Sequence, residues 1–203
     1  MSHEEDQVVA ALADLCKRYG VTTLIQVGAG DGYEAYRVKE TTGCRAICIE
    51  ADGRHPQAYQ CLRSGMTLEY HRALIGATDC VMPFYTHPTP DLSGQFPRGD
   101  NGEERHDLPQ QRLDTFCATW GIVPDALVID TEGSSMDVLE GCGALLDGLK
   151  IVYAEVQNYE MRPGIRPVGQ VDALLSAHGM TQHRTLPSYA VGAAQYNMTW
   201  VRQ

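Results

Sequence analysis

The chain has 203 residues, 43% of them hydrophobic, which is enough for one domain around a single buried core and too few for two full domains. A net charge of −10 repels phosphate backbones, and the Lys and Arg residues form no basic stripe, which argues against a nucleic-acid substrate. There is no run of about 18 apolar residues, and the acidic opening Met1 to Asp6 lacks an apolar signal core, so a soluble cytoplasmic protein without a membrane partner is expected.

Val8, Val9, Leu12, Leu15 and Cys16 recur at helical spacing and Gly20 follows as a stop, which predicts an N-terminal helix within residues 1–20, packed on a sheet edge. Leu24, Ile25 and Val27 then make a short buried strand. Gly28, Gly30 and Gly32 let the backbone turn tightly beneath a ligand where the next helix starts, and a helix N-terminus favours a carboxylate or phosphate. The following apolar run, Arg45 to Glu50, ends in a carboxylate roughly 20 residues past the glycines, the place where doubly wound folds hold ribose hydroxyls. Glu50 is therefore the expected ribose ligand. A dinucleotide fingerprint needs a third glycine at position 33, where the chain has Tyr33, so NAD is disfavoured. The loop suits S-adenosylmethionine, whose amino-acid carboxylate needs donors and whose ribose needs an acid. The expected cofactor-binding set is Gln26, Gly28, Ala29, Gly30, Asp31, Glu50 and Ala51.

Pro56 is expected to open a short helix carrying Tyr59 and Leu62, ended by Gly65, with a strand over Met66 to Leu74. Val81 to Tyr85 reads as an extra short strand. Residues 86–110 are rich in Pro, Gly, Asp and charge without a hydrophobic period, which predicts a long loop, either a binding loop or lid or plain disorder. Leu113, Phe116, Cys117 and Trp120 mark a helix, and Ala126 to Ile129 a central strand. Ser134 and Asp137 are spaced for a capping box on a helix carrying Met136, Leu139, Cys142 and Leu146. Ile151 to Val156 supplies the next strand. An irregular segment from Gln157 to Pro167 precedes a helix with Val171, Leu174 and Leu175, stopped by Gly179, and Thr181 to Arg184 with Gln195 to Val201 closes the chain as an antiparallel hairpin. The whole reads as one α/β domain over residues 1–203, a mostly parallel sheet with helices on both faces. The seven cysteines fall mostly within apolar runs without Cys-x-x-Cys pairs, as reduced core thiols do.

In such sheets ligands bind beyond the carboxyl ends of the strands, which places Glu50, Asp130, Glu132 and Glu155 on one rim. Asp130, Glu132 and Glu155 are the candidate catalytic residues: two carboxylates spaced as Asp130 and Glu132 can act as a base, or hold a divalent cation that acidifies a substrate hydroxyl. No dedicated metal-ligand spacing is present. His71, His87 and His106 are further candidate bases, each more simply read as a satisfied or solvent-facing histidine, and Tyr159, Arg162 and Arg166 are candidates to hold an oxygen-rich substrate.

Four segments, Val27-Gly-Ala-Gly-Asp-Gly32, the strand ending at Glu50, Arg112-Leu-Asp-Thr-Phe116 and Val128-Ile-Asp-Thr-Glu-Gly133 with its helix Met136 to Gly141, resemble the FkbM-like S-adenosylmethionine-dependent methyltransferases. The resemblance implies a class I methyltransferase (Rossmann-like) fold and O-methylation of a hydroxyl on a small metabolite, sugar or natural product. It also implies that Gly28, Gly30 and Asp31 cradle the methionine part, that Glu50 takes the ribose, and that Asp130 and Glu132 border the transfer site. Two positions depart from the pattern: Gln26 stands where many class I enzymes carry an acid, and Gly30 where the family commonly has Asn. A second reading is a non-catalytic, cofactor-binding module of the same fold acting as a partner or sensor. A homodimer is left open.

Overall fold

The computed structural model describes residues 3–55, 68–158, 162–187 and 195–203. The expected helix from Pro56 to Gly65, the start of the following strand at Met66, and Tyr159 lie outside the described residues.

A seven-stranded sheet forms the centre. Its strands are β1 (Thr23–Val27), β2 (Arg45–Glu50), β3 (Glu69–Arg72), β7 (Ala126–Ile129), β8 (Ile151–Gln157), β9 (Met180–Pro187) and β10 (Gln195–Arg202), in the order β3-β2-β1-β7-β8-β10-β9. The first five in that order run parallel, and β10 inserts antiparallel between β8 and β9 as the expected C-terminal hairpin. The order reverses at β1, which places a topological switch point, and hence a crevice, beyond the carboxyl ends of β1 and β7. A second, three-stranded sheet consists of β4 (Leu74–Ile75), β5 (Cys80–Thr86) and β6 (Glu104–Gln111), in the order β4-β6-β5.

Because side chains alternate along a strand, each strand feeds two cores. Ile25, Val27, Ile47, Ile49, Leu127, Ile129 and Val152 pack with Phe116, Leu139 and Leu175 from helices α3 (Leu113–Trp120), α4 (Ser135–Cys142) and α5 (Val168–Ala177). Leu24, Ala46, Cys48, Val128, Ile151 and Tyr153 turn to the opposite face, under α1 (His3–Arg18) and α2 (Tyr33–Thr42). The amphipathic stripe of α1 thus lies over the sheet face beside α2 instead of on the sheet edge, because Leu12, Ala13 and Cys16 meet residues of the central strands. Five of the six described cysteines are buried, and burial pushes the Cys16 and Cys117 thiols up to about 12.

Three local expectations are corrected. Residues 104–111 are a strand, β6, paired antiparallel with β5. The strand was illegible because its side chains from Glu104 to Asp107 face solvent on both sides, leaving no period-two pattern, and it carries Pro109. The stretch to Leu74 divides between the two sheets, β3 ending at Arg72 and β4 starting at Leu74. Ser134 makes no side-chain cap; its hydroxyl donates to the Thr131 carbonyl at 3.1 Å, while Asp137 pairs with Arg166 at 2.6 Å. No helix among the described residues is long and apolar enough to cross a membrane.

Candidate active site

A cleft of about 390 Å³ opens beyond the carboxyl ends of β1, β2 and β7, a size typical of small-ligand sites. Its floor is the turn from β1 to α2. Gly28 has φ +71°, and a Cβ there would sit 1.7 Å from the Asp130 carbonyl oxygen, so the loop after β1 can lie against the end of β7 only as glycine. The Gly28 and Ala29 amides donate to the Ile49 carbonyl at 2.9 and 3.2 Å, and Gly30 N–H donates to Glu50 Oε2 at 3.0 Å. In the first turn of α2, Tyr33 N–H donates to Asp31 Oδ1 and Ala35 N–H to Gln26 Oε1. These amides are engaged within the protein, so the glycine loop shapes the floor of the cleft more than it supplies donors.

Glu50 is buried at the end of β2 and faces the cleft. Its Oε1 accepts from Asp52 N–H at 2.7 Å and its Oε2 from Gly30 N–H. A carboxylate offers about four acceptor positions, so two are left for ribose hydroxyls. Burial raises its pKa, against the two backbone donors. Ala29, Gly30, Asp31, Ala51 and Gln26, the rest of the expected cofactor set, also line the cleft.

The three candidate catalytic carboxylates have separate fates. Asp130, one residue beyond β7, is exposed to solvent in the cleft, yet protein closes around it. That enclosure, with the neighbouring charges of Glu155, Glu132, Glu34 and Glu50, drives its pKa well above the usual carboxylate range. Glu132 lines the cleft with a left-handed backbone, φ +52°, an uncommon conformation for a residue with a side chain. Its carboxylate is clamped by Arg98 and approached by Arg162 at 3.7 Å, while Arg162 also donates to the carbonyls of Glu132 and Phe96 at 3.1 Å each. Glu132 therefore anchors the segment between β5 and β6 to the end of β7. Glu155 lies level with Asp130, since Ile129 pairs with Ala154, but is absent from the cleft wall. Burial and Glu132 push it up to about 7, against Arg98 and Arg162.

Glu155 yields a stability prediction. Its folded pKa of about 7 lies above the ordinary 4.5, so the fold opposes its ionisation and stability is lost as pH rises from 4.5 through 7. Glu155→Gln is expected to be more stable at pH 8 by on the order of 1 to 2 kcal/mol after solvent screening, with the gain vanishing near pH 4. Urea midpoints at the two pH values measure it, and equal gains at both would refute the charge origin.

None of the three candidate histidines faces the cleft. His71 packs edge-on against Phe116 and Trp120, with ring centroids at 5.1 and 4.5 Å; His87 accepts from Thr89 N–H; His106 pairs with the Thr86 hydroxyl. Arg166 is engaged by Asp137 and Glu140 at the side of α4. Among the described residues no group of three or more His, Cys, Asp or Glu converges as a metal site.

Several cleft residues carry no local sequence signal. His55, with a side chain only 5% exposed, approaches Asp91 at 3.5 Å and forms part of the wall. Phe84, Pro90, Ser93, Gly94 and Gln95 arrive from β5 and the segment after it. That segment is pinned at its other end: Arg54 pairs with Asp52 at 2.6 Å and donates to the His87 carbonyl, and the Ser93 hydroxyl donates to Asp52 at 2.8 Å. Burial works against the charge of Asp52, but Arg54 and Ser93 overcome it and hold the carboxyl at about 2.

A glycine turn under a cleft, an acid closing the second strand and a parallel sheet ending in an inserted antiparallel strand define a class I methyltransferase. Residues 23–180 match the family model of the methyltransferase FkbM domain, and the chain belongs to that family, whose cofactor is S-adenosylmethionine. No curated protein matches. Among solved structures, the O-methyltransferase from Bacillus cereus in complex with S-adenosylhomocysteine is similar in fold, with a TM-score of 0.60, 12% identity and coverage of 100% of this chain and 82% of that one. The magnesium protoporphyrin IX methyltransferase from Synechocystis PCC 6803, with bound S-adenosylmethionine, gives 0.59 at 11% identity over 98% of this chain and 79% of that one. A precorrin-6y C5,15-methyltransferase from Geobacter metallireducens gives 0.56 at 12% identity, covering 97% and 89%. The acceptors named for these proteins differ, so the shared fold does not set the acceptor of this chain. The residues present fit the cofactor: the turn at Gly28, which admits no Cβ against the end of β7, brings the loop in as the floor of the cleft, and Glu50 stands there with acceptor positions beyond its two backbone donors.

Proposed function

We propose that the chain methylates a hydroxyl oxygen on a small metabolite, sugar or natural product, with Asp130 as general base. The supporting observation is Asp130 itself, a carboxylate open to the cleft, in backbone contact distance of the glycine loop, and raised in pKa by burial and by four neighbouring acids. Bound S-adenosylmethionine supplies an electrophilic sulfonium methyl group. With the cofactor bound, Asp130 would accept the acceptor's hydroxyl proton as that oxygen takes the methyl group, neutral S-adenosylhomocysteine being the leaving group, and would release the proton through the open cleft. A base whose pKa lies nearer the working pH is the more effective one, which is the advantage of crowding Asp130 with like charge. The remaining wall orients the acceptor and keeps water back, which is most of what an in-line displacement requires. Phe84 and Pro90 supply apolar surface there, and Gln95 and Ser93 polar groups.

The test is methyl transfer from methyl-labelled S-adenosylmethionine to a panel of hydroxylated sugars and polyketides, with the product's linkage determined. An alkali-stable methyl ether is the expected result. Label on nitrogen or carbon would reject the acceptor assignment, and tight cofactor binding without turnover across the panel would favour the non-catalytic module.

A further inference from the structure

The cleft wall contains an amide whose orientation is fixed from behind. Gln110, on β6, donates through Nε2 to the Thr78 carbonyl at 2.9 Å. A carbonyl can only accept, so the nitrogen of Gln110 faces Thr78 and its Oε1 is left to receive a donor, which is Nε2 of Gln95. The relay is built around Gly76, where a Cβ would lie 2.2 Å from Gln110 Oε1. Gln95 lines the cleft and Gln110 does not, so the nitrogen of Gln95 points behind the wall and its Oε1 is the end left to the cleft. Gln95 is only 7% exposed, yet this oxygen accepts no hydrogen bond among the described residues and is not sealed from solvent. A nearly buried acceptor, held in one orientation and lacking a donor, is a place for a ligand's donor.

We propose that Gln95 Oε1 reads the exocyclic amino group of the cofactor's adenine, with Gln110 as the positioning residue that keeps oxygen, not nitrogen, toward the base. The inference rests on the reading of Glu50 as the ribose acid. The Ala73 amide donates to the Glu50 carbonyl at 3.0 Å, so the strip Ala73, Leu74 and Ile75 starts beside Glu50 and leads to Gly76, under the Gln110–Gln95 pair. All three residues line the cleft, and Leu74 and Ile75 are buried, which gives a flat base an apolar bed. Ribose hydroxyls held at Glu50 direct the base along this strip. The amino group of adenine stands on the ring edge remote from the sugar, which is where the strip ends at Gln95. The backbone of Gln95 borders the methyl acceptor's part of the wall, beside Gly94 and Glu132, while its side chain reaches to Gln110 over Gly76.

The test is isothermal titration of the native protein, Gln95→Met and Gln110→Met with two probes, S-adenosylhomocysteine and S-inosylhomocysteine. The second probe carries an oxo group in place of the amino group and would set a second acceptor against Gln95 Oε1. The native protein is expected to prefer S-adenosylhomocysteine roughly 10- to 100-fold, the cost of opposing two acceptors in a nearly buried site. Gln95→Met is expected to bring the two affinities within about threefold of each other. In Gln110→Met the Gln95 amide is free to turn its nitrogen to the base, so S-inosylhomocysteine is expected to bind more tightly than it does to the native protein, a gain that mere loss of structure does not produce. Equal native affinities would overturn the proposal, as would the native preference persisting in Gln95→Met. Equal weakening of both probes in Gln110→Met would also overturn it and mark the relay as structural. A native protein that binds neither probe would contradict the cofactor site itself, and this inference with it.

Discussion

Gly28→Ala is expected to abolish cofactor binding and to destabilise the domain by roughly 3 kcal/mol or more. Two costs combine. The backbone at position 28 has φ +71°, which disfavours any residue with a Cβ, and the added carbon would lie 1.7 Å from the Asp130 carbonyl oxygen. That neighbour is backbone, so no side-chain rotation relieves the overlap; β1 and β7 must part or the loop must lift. Either movement disturbs the Gly28 and Ala29 hydrogen bonds to Ile49 and the Gly30 hydrogen bond to Glu50. Thermal unfolding with and without S-adenosylhomocysteine measures both effects. A variant with native stability and an undiminished ligand-induced shift would show that the loop does not form the floor of the site.

Asp130→Asn is expected to lower kcat by roughly 10²- to 10⁴-fold while leaving S-adenosylhomocysteine affinity within a few-fold of the native value. The split follows from position: the backbone of Asp130 supports the cofactor loop and persists in the variant, whereas its carboxylate is the proposed proton acceptor. The wild-type rate should fall as pH drops through the raised Asp130 pKa, because protonation removes the base. Stability has its own sign. The folded-state pKa lies above the ordinary 3.8, so the fold disfavours ionised Asp130 and stability is lost as pH rises from 3.8 through the folded value. Asn cannot ionise, and the variant should therefore be the more stable protein at pH 8 and indistinguishable near pH 3. Unimpaired turnover in Asp130→Asn would remove the carboxylate from the chemistry.

The buried strands were legible from sequence as apolar runs, and the alternation of side chains along them carries more than the fold. Counting by two from Leu24, Cys48 and Tyr153 puts Gln26, Glu50 and Glu155 on the face toward α1 and α2, and Asp130 follows Val128 in the same parity. The strand ends, the glycine turn and the terminal hairpin were readable because each depends on neighbours in sequence. The surroundings of Glu132 were illegible because they are set by Arg98 and Arg162, residues 34 and 30 positions away, whose pairing leaves no local mark. Similarly, β6 draws its order from pairing with β5 across a long connection, and its exposed charged side chains resemble those of a loop. His55 reaches the cleft only because the segment carrying Asp91 is folded back on it by Arg54, Asp52 and Ser93. The Arg112-Leu-Asp-Thr-Phe116 motif lies away from the cleft: Arg112 holds Asp114 at 2.6 Å and the Ala77 carbonyl at 2.9 Å, fastening α3 to the turn before β5. Its value was as a family signature, with a structural role.

Titrating the purified protein and its Glu50→Ala variant with S-adenosylhomocysteine, with NADH as control, tests the central claim most directly. The cleft described above predicts binding near micromolar for the native chain, a loss of at least tenfold in the variant, and no heat with NADH. Native affinity in Glu50→Ala, or a preference for NADH, would contradict the assignment of the second strand's carboxyl end to the ribose of S-adenosylmethionine.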